Sequence, residues 1–155
     1  MEKEPGKDVL ERRIVGLKAL FGRAPIAKTF GMELFYNSGG EAEFRLPYNP
    51  HLDSPVGIHG GVMSTMLDMA GWFTVATRYD TWISTVDLHV QLLQHAKERG
   101  VRASAKIVRA GARLSMATME LHTDDGTLVA IGSATFTVTS VSCKEGTGPG
   151  AGPAL

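Results

Sequence analysis

A chain of 155 residues with 43% hydrophobic and 21% charged side chains has the composition of one globular domain, large enough to bury roughly two thirds of the surface its unfolded form exposes. Its 16 basic residues balance 16 acidic ones, so no long-range field recruits nucleic acid or an anionic membrane, and any anionic ligand must be held by local groups. The single cysteine, Cys143, excludes an intrachain disulfide framework and fits a reducing, cytoplasmic location.

The first eight residues carry charges of both signs and lack the apolar core of a secretory signal. Asp8 predicts the cap of a helix over 9–21, in which Leu10, Ile14, Leu17, Leu20 and Phe21 recur at helical spacing and Gly22 marks the stop. Strands are expected over 30–36 and 42–48, joined by the hairpin turn Asn37-Ser38-Gly39-Gly40. Pro50, Pro55 and Gly57 make 49–58 a loop that delivers the chain to His59-Gly60-Gly61.

From there to Arg78 the pattern is helical and apolar nearly all round, which predicts a buried helix. Asp68 interrupts it, and together with its Gly, Ser and Thr residues this argues against a membrane span. Four strands follow, over 82–93, 101–108, 114–122 and 128–139, rich in β-branched and aromatic residues; the short turns at Gly111 and Asp124-Asp125-Gly126 favour an antiparallel meander. The segment 143–155, with glycines and prolines and few apolar side chains, is expected to be disordered, after a lead-in over 1–24 and a domain over 25–142. An antiparallel sheet buries one side of a central helix, so the α+β architecture predicts a second copy or layer to cover the remainder.

Between His59 and Arg78 the only charged side chain is Asp68. A lone carboxylate in a buried helix costs several kcal/mol unless it is paired or hydrogen-bonded, so either it lies on an exposed stripe, bonded to a hydroxyl such as Thr65, Ser64 or Thr85, or it has a chemical task. His59-Gly60-Gly61 stands at the helix start, where unpaired backbone N–H groups and the positive dipole end can hold an anion or a developing oxyanion. Read singly, His59 is a local cap and the two glycines a tight turn.

Taken together, the stretch from Asp53 through His59-Gly60-Gly61 to Asp68 resembles the signature of the hotdog-fold thioesterases of the phenylacetate-pathway (PaaI-like) group, with an acid nine residues after the histidine of His-Gly-Gly. The likeness continues more loosely from about Pro25 to Ser140, through Ser84-Thr85-Val86-Asp87-Leu88 and the segment between Val108 and Leu114. It implies a hotdog fold, an antiparallel sheet wrapped around a long central helix, and hydrolysis of acyl-CoA. By the same resemblance the Gly60 N–H polarises the thioester carbonyl, His59 positions it and Gly61 lets substrate approach. Asp68 is then a general base for water or a nucleophile that gives a mixed anhydride. Thr85 either orients the carboxylate or is an ordinary strand residue. The catalytic groups meet across a dimer, so a homodimer is the implied active unit and a homotetramer, as a dimer of dimers, the implied assembly.

One position departs from the pattern: many relatives carry Asn six residues before the histidine, where this chain has Asp53. An ionised Asp cannot donate a hydrogen bond. If Asp53 enters the site, its repulsion raises the pKa of one of two carboxylates; otherwise it is solvated on a displaced loop. Arg109 and Arg113, flanking Gly111, are candidates for the phosphates of CoA, with a solvated basic turn as the plainer reading. The five histidines show no metal-ligand spacing, and no cofactor beyond water is expected. The alternative is a hotdog protein that binds acyl-CoA as a sensor or carrier without turnover.

Overall fold

In the computed structural model, which describes residues 4–143, the N-terminal apolar repeat forms helix α1 (Lys7–Arg23). Its N-cap is Gly6 rather than Asp8; Asp8 stands instead in the first turn, where its charge meets the positive end of the helix dipole. Phe21 is buried and meets Phe44 and Phe73 edge-on at 5.2 and 5.9 Å.

The strand expected over 30–36 is shorter than the sequence suggested. Pro25 opens a second helix, α2 (Pro25–Phe30), because a fixed φ and a missing N–H suit the first helical position. Gly31 ends that helix in the left-handed region at φ +72°, leaving Glu33–Tyr36 as β1. The hairpin to β2 (Ala42–Leu46) forms as expected, with Asn37 Oδ1 accepting from the N–H groups of Gly39 and Glu41, both at 3.0 Å.

The expected loop 49–58 carries structure of its own. Pro50–Leu52 make one 3₁₀ turn, and β3 (Asp53–Ser54) pairs with β4 (Gly57–Ile58) in a two-residue ladder. Helix α3 (Gly60–Ala76) follows, then β5 (Thr81–Leu92), β6 (Val101–Ala110), β7 (Leu114–Thr123) and β8 (Leu128–Ser142). The main sheet runs β1-β2-β6-β7-β8-β5, antiparallel throughout, so the last three strands are the expected meander while β5 crosses to the far edge.

Helix α3 packs across β2, β5, β6, β7 and β8, which is the hotdog arrangement. The inward rows are built from Phe44, Leu46, Ala103, Ala117, Met119 and Phe136, against Met66, Leu67 and Ala70 of the helix. Close approach depends on Gly71: a Cβ there would lie 3.0 Å from Phe136 Cζ and 3.1 Å from Met119 Sδ. The opposite face of α3, with Gly61, Thr65, Asp68, Met69 and Trp72, is exposed or half-buried in the single chain. Among the described residues no helix is long and apolar enough to cross a membrane, and no three metal-ligating side chains cluster. The segment 144–155 lies outside the described residues.

Candidate active site

A helix start leaves four N–H groups without intrahelical acceptors. At α3, His59 satisfies two of them, its ring Nδ1 accepting from Gly61 at 3.0 Å and its carbonyl from Val62 at 2.9 Å, while the same carbonyl accepts the first regular helical bond from Met63 at 3.1 Å. Among the described residues no acceptor takes the N–H of Gly60. His59 is therefore an N-cap, its accepting Nδ1 leaving the ring proton on Nε2. The local reading of His59 and the catalytic reading of Gly60 are complementary, because the cap singles out one free donor at the positive end of α3.

Two turns further on, Asp68 is half-buried. Thr85 Oγ1, on β5, donates to its Oδ1 at 2.9 Å, while the second carboxylate oxygen has no partner within the described chain. Burial raises the Asp68 pKa above its ordinary 3.8, and the Thr85 hydrogen bond partly opposes the rise by favouring the ionised form. One turn along, Trp72 Nε1 donates to Ile83 O at 3.0 Å and its ring lies 5.3 Å from Trp82. These contacts lock α3 in register along β5. Along this helix Met63, Met66 and Phe73 are core, whereas Trp72, like Trp82 on β5, is half-exposed beside the carboxylate face.

Gly60 and Asp68 lie on one helix, eight residues and hence about 12 Å apart along its axis. A single thioester carbonyl cannot touch both groups of the same chain. Asp53, on β3, is half-buried and lies near the Tyr48 hydroxyl, whose pKa is raised by desolvation first and then by the neighbouring Asp53 and Glu98 carboxylates. The Asp68 shift comes from burial and the Thr85 bond, with no contribution from Asp53 within one chain. Gly61 is exposed beside the His59 ring.

Arg109 and Arg113 are brought together: with Gly111, Leu114, Met116 and Thr135 they line a cavity of about 410 Å³ on the outer side of the sheet. Tyr48, the Trp72 indole N–H and Tyr79 belong to the surroundings of these groups and were not visible in the sequence. The bonds of Trp72 and Tyr79 join residues 11 to 36 positions apart and leave no periodic signal.

Residues 50–137 match the family model described as the acyl-CoA thioesterase N-terminal domain. A medium/long-chain acyl-CoA thioesterase, YigI of Salmonella typhimurium, is 29% identical over 96 residues, or 52% of this chain and 62% of that protein. The chain thus spans less than two thirds of that relative's length. Among solved structures, protein BH2602 from Bacillus halodurans with CoA superposes with a TM-score of 0.71 at 29% identity, covering 86% of this chain and 92% of the other. The PaaI protein of the Escherichia coli phenylacetic acid degradation operon superposes at 0.77 over 88% of this chain and 97% of its own; at 13% identity it attests the fold.

Proposed function

Because the chain belongs to the acyl-CoA thioesterase family, with a hotdog fold, we propose that it hydrolyses an acyl-CoA thioester to the free acid and CoA in a site completed by two copies of itself. The observation that carries the reading is a pair of groups on α3 with no partner among the described residues, the N–H of Gly60 and the second oxygen of Asp68. The first suits a developing oxyanion; the second can take a proton from water or attack carbon directly.

In the general-base route, water adds to the carbonyl carbon while Asp68 accepts its proton. The oxyanion is held by the Gly60 N–H of the other copy; the C–S bond then breaks and CoA leaves with a proton returned by Asp68. In the nucleophilic route the Asp68 oxygen adds first, CoA leaves, and water cleaves the resulting anhydride. Both use the same residues, and neither calls for a cofactor. The name of the YigI relative makes medium- and long-chain acyl groups the first to test.

The separation of about 12 Å supports a second copy in this reading, docked at the edge of the sheet. β5 is the last strand on its side and exposes Val86, Leu88 and Leu92, next to the uncovered face of α3. The test is purified protein with a panel of short, medium, long and aromatic acyl-CoAs and a thiol reagent that reports free CoA. Release of CoA is expected; acyl-CoA binding with no cleavage would make the protein a sensor or carrier instead.

Thr85→Val tests how Asp68 is tuned. The hydrogen bond favours the ionised carboxylate, so its loss lets burial raise the pKa further. Since the working base must be ionised, the acid limb of kcat/KM moves to higher pH, and activity at mildly acidic pH falls more than at pH 8. An acid limb that stays in place would remove Thr85 from the site.

A further inference from the structure

Three residues beyond the end of α3, Tyr79 reaches the turn between β6 and β7. Its hydroxyl donates to Gly111 O at 2.9 Å and is also bonded to the Ser115 hydroxyl, which is fully buried. A phenol has one proton, and the Gly111 carbonyl can only accept, so Ser115 is the donor in the second bond. On the other side, Arg113 O accepts from Val138 N–H at 2.8 Å. The turn is tight as well as anchored: a Cβ at Gly111 would lie 2.8 Å from Leu114 O.

Arg109 and Arg113 stand on either side of this clamp and line the same cavity. Neither guanidinium is paired with a carboxylate among the described residues. Two unpaired arginines on a fixed turn suit a multiply charged phosphate ligand, and a turn already ordered loses less entropy when the ligand binds. Resting on the proposed use of CoA thioesters, we infer that Tyr79 is a positioning residue for the nucleotide end of CoA: it holds the Gly111 turn so that Arg109 and Arg113 meet the phosphates, and it takes no part in the chemistry at Asp68.

The test compares Tyr79→Phe with the unaltered protein by calorimetric binding of CoA and of pantetheine, which lacks the nucleotide. Removing the hydroxyl is expected to weaken CoA by about 3- to 10-fold and to leave pantetheine unchanged. In an Arg109→Ala, Arg113→Ala background the effect of Tyr79→Phe disappears, because the hydroxyl acts through the arginines. With acyl-CoA, KM rises while kcat is retained, and the N-acetylcysteamine thioester of the same acid shows no change.

Unchanged CoA affinity would overturn the inference, as would equal weakening of CoA and pantetheine or an undiminished effect without the arginines. Binding is read without turnover, so the failures separate. CoA binding that depends on Tyr79 with no thioester cleaved removes the hydrolase reading alone; an unaltered protein that does not bind CoA removes both.

Discussion

Asp68→Asn is expected to lower kcat for acyl-CoA hydrolysis by about 10²- to 10⁴-fold, the range spanned by removal of a positioned general base. The change is conservative in every respect but basicity. Asn has the size of Asp, and its Oδ1 can accept the Thr85 hydroxyl as the carboxylate does, so the register of α3 on β5 is kept. Without ionisation the residue can neither deprotonate water nor attack carbon, so the prediction holds for both routes. Binding of acyl-CoA should be largely retained, and a fully active Asp68→Asn protein would sink the assignment.

Stability supplies a second reading of the same substitution. Burial raises the folded-state pKa of Asp68 above the ordinary 3.8, so the folded protein holds its proton more tightly than the unfolded chain. The resulting penalty is absent well below 3.8, grows as pH rises through the folded value and is constant above it. Asn carries no such penalty. Melting temperatures of Asp68→Asn and the unaltered protein should therefore converge in acid, with the variant the more stable near pH 8. A group retained against stability in this way is what a working carboxylate requires.

The sequence made Asp68 conspicuous because one acid interrupts an apolar helical pattern, and the alternation at Ala42-Glu43-Phe44-Arg45-Leu46 and the Asn37-Gly40 turn made the first hairpin equally plain. Other features were out of reach for physical reasons. Ile26, Ala27 and Phe30 suit a helix turn as well as a strand, and the choice is made by Pro25 at the helix start and Gly31 at its end. β3 and β4 are two residues each, too short for any period, and the placement of β5 beside β8 is a tertiary outcome. At the site, the resemblance already singled out Gly60 from Gly61, but the residues alone gave no physical ground for the distinction. The structure supplies one: the His59 ring occupies the Gly61 N–H, while that of Gly60 has no acceptor among the described residues.

That distinction can be tested by removing one hydrogen atom. Gly60 is the first residue of α3, the position at which proline is best tolerated, and His59 before it has φ −65° and ψ 137°, the extended geometry a following proline demands. Gly60→Pro therefore deletes the free N–H while preserving the helix. Any added Cβ meets Leu92 Cδ1 at 2.7 Å, the far end of an exposed and flexible side chain, so Gly60→Ala is the matched control that adds bulk and keeps the donor. Gly60→Pro is expected to lower kcat about 10²- to 10³-fold, the cost of one oxyanion donor, with Gly60→Ala retaining most of the rate. Equal losses in the two would assign the effect to crowding at Leu92. The two inactive variants then test each other. If the donor and the carboxylate of one site come from different copies, an Asp68→Asn chain paired with a Gly60→Pro chain holds one dead site and one intact one. Mixed and reassembled in equal amounts, with half the dimers hybrid, they should recover about a quarter of the unaltered activity. If both groups served within a single chain, every site in the mixture would carry a lesion and no activity would return.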